Sequence, residues 1–498
     1  MESLWQRSAP VIATDPFPDA ERVDVAVIGG GITGLVTALL FARAGRRVVL
    51  LEAREIGAGA SGRTTAKVSR LQGTQSDFVR SRNIAAVARA YADSQAAAFD
   101  WLLDFCSTNG VAVQRRDAFS YATTADGRAR VEAEFRAARA VGVPVELVER
   151  VDLPFPTTGA VRLADQAQLD PMALLAALVA AIRDAGGMVV EGVRAQGVHA
   201  SSPAEVRTDR GVVDADRVVL ATGAPILDRG LYFAKTTAQR SYAAAWRVPE
   251  EQLPNGMFLD VEQPSRSVRT SGTEGPLLLT GGFGHEVGRR SSPRAAADEL
   301  AEWTTEHWPR AEAVAAWSAQ DHLTPHGVPF VGWLPRGRAR VYLATGFSKW
   351  GMTNGVATAL TLVADILGID GGEAPADWQR VLHRRPTLPQ TMAAGIGANA
   401  AVALWYARGW LGALASPLGR TPLEGMGEVG REGFRPAAVS TVDGETRELC
   451  AICPHLGAIV TWNDFERSWD CPAHGSRFAP GGSVLEGPAR RPMRPMPR

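Results

Sequence analysis

The chain has 498 residues, 46% of them apolar and 21% charged. That is too long for a single core and predicts two or three domains, while the ordinary composition excludes a disordered or fibrous chain. With 53 Lys plus Arg against 53 Asp plus Glu, there is no basic excess to recruit nucleic acid or an anionic membrane, and neither is expected as a partner.

Residues 1–22 carry acids and prolines without an uninterrupted apolar core, so no signal peptide is expected. The apolar run Val23 to Ile28 then enters a glycine turn, an Ala/Leu-rich helical stretch runs to Ala44, and a second apolar run, Val48 to Leu51, ends at Glu52. This is a βαβ unit. Gly29, Gly31 and Gly34 fall in the G-x-G-x-x-G register, which serves a tight turn, close backbone approach to a pyrophosphate and close helix-sheet packing. The helix starting near Ile32 and Thr33 points its positive end at the phosphates, and Glu52 stands where a carboxylate accepts from a ribose hydroxyl. The loop that follows, Ile56 to Lys67, contains Arg63, Thr64 and Thr65 among small residues and is expected to wrap the cofactor.

Residues 76 to 143 read as helical, with amphipathic stretches at 85–105 and 128–140. Asp170 and Pro171 are the N-cap and first position of a helix that Gly186 and Gly187 close. Apolar runs follow at 188–190 and 217–220, the second ending in Ala221, Thr222 and Gly223 at the carboxyl end of a parallel sheet. From 232 to 319 short β-like runs (241–248, 257–261, 277–280) predict an antiparallel substrate-domain sheet. A last strand at 341–345 leads through Gly346, Phe347, Ser348, Lys349, Trp350 and Gly351 to an apolar helix beginning at Met352 and Thr353, whose positive end suits an electron-rich carbonyl edge. The run 398–414, interrupted by Arg408 and two glycines, predicts an interdomain helix and no membrane span.

Three of the four cysteines lie in the last fifty residues, which points to metal near the C-terminus and a reducing, cytoplasmic setting. Cys453 and His455 form a C-x-H pair, Cys471 and His474 a C-x-x-H pair. Two thiolates and two imidazoles on two loops match the Rieske pattern, with two Cys on one iron and two His on the other; the same donors also suit a Cys2His2 zinc site. Gly457 and Gly475 after the histidines, and Ser476 as a donor toward sulfur, favour the cluster.

The N-terminal unit, the loop Gly59 to Arg63, Leu169 to Pro171 and the Ala-Thr-Gly at 221 resemble the FAD-dependent D-amino-acid oxidase, glycine oxidase and sarcosine oxidase superfamily over roughly residues 20 to 370. Thr64 to Lys67, Arg240 to Tyr242, 346–353, Trp469 to Pro472 and Gly475 to Phe478 resemble its bacterial subgroup with a C-terminal Rieske domain. The resemblance implies an α/β fold: a Rossmann-like FAD-binding domain with an inserted antiparallel-sheet substrate domain, plus a small all-β Rieske [2Fe-2S] domain. The expected boundaries are 1–385 for the flavoprotein part (FAD-binding at about 20–75, 150–230 and 320–370; substrate at about 76–149 and 231–319), 386–424 for a linker with a docking helix near 400–411, and 425–492 for the Rieske domain.

Ala319 stands where relatives carry a flavin-anchoring cysteine, so FAD is expected to be non-covalent. Ala458 and Ala473 replace the disulfide pair of respiratory Rieske domains, and Phe478 replaces a tyrosine donor, which lowers the expected potential. The family implies oxidation of an amine or amino acid by hydride transfer to flavin. The candidates for substrate chemistry are Arg240 and Arg266 as carboxylate clamps, Tyr242, His285 on an expected loop, and Lys349 beside the flavin. Electrons are expected to pass singly through the cluster to a one-electron acceptor or donor protein. Inward flow, making the chain a Rieske-fed flavin reductase or monooxygenase, and a non-enzymatic redox sensor are the alternatives.

Overall fold

The computed structural model describes residues 2–18, 22–272, 275–369, 371–372, 374–383, 388–419 and 421–496. A first sheet has the order Phe330–Trp333, Val341–Thr345, Val212–Leu220, Val23–Ile28, Val48–Leu51, Met188–Val190. Its central pairings are parallel; the edge strand Phe330–Trp333 is antiparallel, and Ala204–Thr208 pairs antiparallel with the start of Val212–Leu220. Val48–Leu51 is buried on both faces, which explains why it reads as an unbroken apolar run. Val25 and Val27 pack with the helices Ile32–Arg43, Pro171–Asp184 and Gly351–Ile369. Ala26 and Ile28 face the layer formed by the strands Ala195–His199 and Ala204–Thr208.

Helix Gly351–Ile369 is long and apolar enough to cross a membrane, yet Val356, Ala359, Leu362 and Ile366 are buried in the core. At roughly 1.5–3 kcal/mol per buried large aliphatic side chain, that burial accounts for its hydropathy.

The second sheet runs Glu312–Leu323, Thr237–Arg247, Leu277–Glu286, Arg266–Ser271, Met257–Asp260, Val113–Ala122, Gly159–Leu169, Lys67–Val68. It is not wholly antiparallel, because Met257–Asp260 pairs parallel with Val113–Ala122. Strand Val113–Ala122 also interrupts the stretch read as helical: Gln114, Arg115 and Arg116 lie on its half-exposed part, and their charge masks the period of two. Its partner Gly159–Leu169, like Lys67–Val68, belongs to this sheet although the expected boundaries gave both to the FAD-binding part.

The helix expected near 400–411 extends over Pro389–Ala415, and only Thr391 and Ala413 of it are buried. It docks through a few contacts, with Asn399 Nδ2 donating to Ala234 O at 2.8 Å and Trp410 Nε1 to Gly457 O at 3.0 Å. The expected boundary at 385/386 lies outside the described residues.

The C-terminal unit has two small antiparallel sheets. One contains Gly427–Glu432, Arg435–Val442 and Glu445–Cys450; the other Thr461–Asn463, Ser468–Asp470, Arg477–Phe478 and Val484–Glu486. Trp469 and Phe478 are fully buried in its core.

Candidate active site and cluster centre

A cavity of about 790 Å³ opens between the two large sheets, toward the upper end of the usual size for a small-molecule site. Gly29, Gly31, Ile32, Thr33, Glu52, Arg63, Thr64, Thr65, Ala221, Thr222, Gly223, Phe347, Lys349, Gly351 and Met352 line it. Gly34, Gly346 and Thr353 stand behind the wall. Gly29 takes φ +116°, and a Cβ on Gly34 would lie 1.9 Å from Gly29 O, so helix and strand touch there as the motif requires.

Gly31 caps the helix without a side chain, and a Cβ on it would meet only Ser61 and otherwise fill the cradle. Ser61 Oγ takes the Ile32 N–H at 3.0 Å, and the helix's positive end faces the cavity. Glu52 accepts from Gly30 N at 2.7 Å and Arg54 N at 2.9 Å; each carboxylate oxygen retains capacity for a ribose hydroxyl. These residues fit FAD.

At the inner end, Ser348 and Lys349 both have positive φ, 53° and 68°. Two consecutive left-handed non-glycine residues store strain of the kind found at ligand sites. The Lys349 N–H donates to Asp321 Oδ2, which holds the turn. Burial lowers the Lys349 ammonium and raises the Asp321 carboxyl, with each opposing the other's shift.

Tyr242 lines the cavity. His285 lies in strand Leu277–Glu286 rather than on a loop, and its Nδ1 bonds to Glu286 O at 2.9 Å. A carbonyl only accepts, so Nδ1 is the donor and Nε2 the acceptor from Tyr242 Oη at 2.9 Å. Burial lowers the His285 pKa, which keeps this neutral tautomer. The Tyr242 hydroxyl hydrogen is thereby committed, and its oxygen is left to accept a hydrogen bond.

Neither arginine expected to clamp a carboxylate lines the cavity. Arg266 stacks 5.5 Å from the ring centres of both Phe283 and Trp303 and pairs with Asp260 at 3.4 Å. Arg240 is fully buried between the domains: its Nη1 bonds Ser318 Oγ at 2.5 Å, and it pairs with Glu466 at 3.5 Å and Glu486 at 3.9 Å.

A further lysine lines the cavity, Lys67, for which the sequence carries no catalytic motif. Burial, with Arg269 adding, pulls it down to about 7, and its Nζ donates to Thr65 Oγ1 at 3.2 Å. Its place at the end of the cofactor-wrapping loop Ile56 to Lys67 is the signal in the sequence.

Cys453 and Cys471 are both 2% exposed, and their side chains touch. The backbone N–H of His455 and the Ser476 hydroxyl bond Cys453, while the N–H groups of Ala473 and His474 bond Cys471. The imidazoles of His455 and His474 lie 5.2 Å apart, centre to centre. His455 Nε2 is taken by Asp228 Oδ1 at 3.0 Å, leaving Nδ1; His474 Nδ1 is buried without a partner. A touching thiol pair beside an imidazole pair, with one imidazole nitrogen left without a partner, fits a dinuclear centre with two thiolates on one iron and two imidazoles on the other.

The cluster loops sit against the cavity. Gln320 on the cavity wall donates through Nε2 to Gly475 O at 2.8 Å, and Leu485, Glu486 and Gly487 complete the wall. The seam holds Arg63, Arg240 and Arg477 against Glu466, Glu486 and Asp470. Burial alone would raise Glu466, but Arg477, Arg240 and Arg63 outweigh it and hold the carboxyl well below its usual range.

Comparison with known proteins agrees with this geometry. Residues 24–365 match the model of the FAD dependent oxidoreductase family (DAO), and 425–497 that of the Rieske [2Fe-2S] domain. A putative Rieske 2Fe-2S iron-sulfur protein, YhfW of Bacillus subtilis, is 31% identical over 99% of this chain and 97% of its own. Glycine oxidase from Geobacillus kaustophilus covers 72% of this chain and 97% of its own with TM-score 0.60 at 22% identity; L-proline dehydrogenase from P. horikoshii covers 72% and 96% with TM-score 0.61 at 17%. These two share the fold. The chain belongs to the FAD dependent oxidoreductase family, DAO, and carries a C-terminal Rieske [2Fe-2S] domain.

Proposed function

We propose that the protein oxidises a small amine or amino acid at its C–N bond and releases the electrons one at a time through the Rieske domain. The observation that carries this reading is the hydrogen bond from Gln320, on the cavity wall, to Gly475 O, next to the ligand His474. When bound, non-covalent FAD supplies two-electron hydride acceptance and the [2Fe-2S] cluster one-electron transfer. The solved structures of similar fold include a glycine oxidase and an L-proline dehydrogenase, which suggests the substrate class.

The chain's own residues prepare the substrate. Tyr242 Oη, its hydrogen held by His285, accepts from the amine and orients it. Lys67, near neutrality, accepts a proton from the substrate ammonium, because an acceptor is most effective with a pKa near the working pH. With Arg240 and Arg266 engaged elsewhere, Lys349 is the cation left beside the inner turn for an anionic group. The alanines at 458 and 473 accord with a reducing, cytoplasmic setting.

The test is anaerobic addition of amino acids, N-methyl amino acids and polyamines to holoprotein, recording flavin absorbance and the cluster's EPR signal. Flavin bleaching followed by a reduced-cluster signal is expected. No bleaching with any amine, together with reduction of both centres by an external reductase, would reverse the direction of flow.

A further inference from the structure

Beside the cluster lies a second cleft, of about 680 Å³. Its walls are His455 with Pro454 from the first cluster loop, Arg490 and Arg491 from the C-terminal tail, and His199 and Arg207 from the flavoprotein part. Arg207 is 56% exposed and only loosely paired with Glu205, at 3.7 Å. Arg490 Nη1 donates to Gln196 O at 3.1 Å, which anchors the tail to the opposite wall, and Arg491 is exposed. The acid on the wall, Asp228, is engaged with His455 Nε2 at 3.0 Å. The cleft thus presents a surplus of positive charge next to a cluster ligand. The residue after that ligand, Leu456, is 49% exposed, giving an apolar contact beside a charged rim as in transient protein interfaces.

We propose that this cleft docks an acidic one-electron carrier protein, which exchanges electrons with the cluster through His455, whose side chain is 5% exposed at the cleft floor beneath Asp228. A quinone would need mainly apolar walls, and the arginines and histidine here do not provide them. An acidic protein gains both steering and registration from the arginine rim. With the cluster bound, each exchange would move one electron between the carrier's redox centre and the cluster, with no bond made or broken. The inference rests on the proposed one-electron path through the Rieske domain.

The test uses oxidised full-length holoprotein and a reduced plant-type [2Fe-2S] ferredoxin as the acidic probe. Its potential near about −400 mV makes transfer to a Rieske centre downhill. Binding is read by calorimetry and transfer by stopped-flow absorbance, at low and high salt. Both are expected to weaken at least about tenfold with salt and again in Arg207→Glu/Arg491→Glu, while flavin and cluster spectra stay as in the parent. Salt-independent binding, unchanged binding in the charge-reversed protein, equally tight binding of basic cytochrome c, or displacement of ferredoxin by a soluble quinone would each overturn the assignment. Because the electrons enter from ferredoxin, failure of amine oxidation leaves this test intact, and failure of docking leaves amine-driven bleaching intact.

Discussion

At the flavin cradle the protein makes its contacts with backbone and small side chains: Gly29 turns, Gly31 leaves space, and Gly34 lets helix and strand touch. At the seam between the domains it uses long charged side chains, with Arg240 at 0% and Glu466 and Arg477 at 4% and 3% side-chain exposure. At Gly29 and Gly34 the cradle tolerates no added atom. The seam tolerates no lost charge, since three buried cations balance three acids and removing one strands the others. Such clusters add little net stability over an apolar contact, but breaking them is costly. The seam is therefore better understood as fixing one docking geometry, which holds Gly475 against Gln320, than as glue.

Arg240→Met should break the seam hardest. Leaving buried Glu466 and Glu486 short of a partner costs about 3–5 kcal/mol. Flavin reduction by substrate should persist while its transfer to the cluster fails, measured as bleached flavin without the reduced-cluster EPR signal. Persistence of coupled reduction would show that the ion cluster does not set the docking. Gly34→Ala should break the cradle instead. Its methyl would run into backbone, and overpacking of this kind costs roughly 1–3 kcal/mol, so flavin content should fall while the cluster signal remains.

The two regions also differed in how legible they were. The cradle occupies one continuous stretch, and its glycines, strands and Glu52 declare themselves by spacing. The cluster ligands do the same on two nearby loops, with Ser476 and the glycines beside them. The seam joins Arg63 to Glu466, 403 positions apart, and no local pattern marks such a pair. Arg240 consequently read as a substrate clamp, when its partners come from the other domain. Arg266 reads as a clamp for a related reason: the aromatic rings that hold it, Phe283 and Trp303, lie on other elements and carry no motif. Lys67 carries no local mark of its role, because its lowered pKa arises from burial that only tertiary packing creates.

Acid should loosen the seam gradually and leave the glycine cradle alone. Burial opposes ionisation of Glu466 and Glu486, but the surrounding arginines dominate and both carboxyl groups are more acidic when docked than their ordinary value of 4.5. A depressed carboxyl stabilises the docked form fully above that ordinary value, and the contribution is lost as pH falls below it toward the docked value. Protease cleavage in 388–419 should accelerate below about pH 4.5, and rapid cleavage already at neutral pH would mean the acids are not held as described.

The smallest effect belongs to the residue where cavity and seam meet. Strand Thr237–Arg247 sends Arg240 into the seam and Tyr242 to the cavity, and the register slips between them against Leu277–Glu286. A bulge of this kind re-aims side chains that would otherwise share a face. Tyr242 serves both regions: its ring meets Phe465 of the Rieske domain edge-on at 5.3 Å, and its hydroxyl bonds His285. Tyr242→Phe keeps the ring and removes the hydroxyl, so docking and cluster reduction should be unchanged. One hydrogen bond to the amine is lost and His285 Nε2 loses its donor, together about 1–2 kcal/mol, which predicts a five- to thirtyfold drop in kcat/KM, on the order expected from that energy. Tyr242→Ala should add a loss of flavin-to-cluster transfer. If Phe and Ala behaved alike in that transfer, the ring would have no part in the seam, and Tyr242 would belong to the cavity alone.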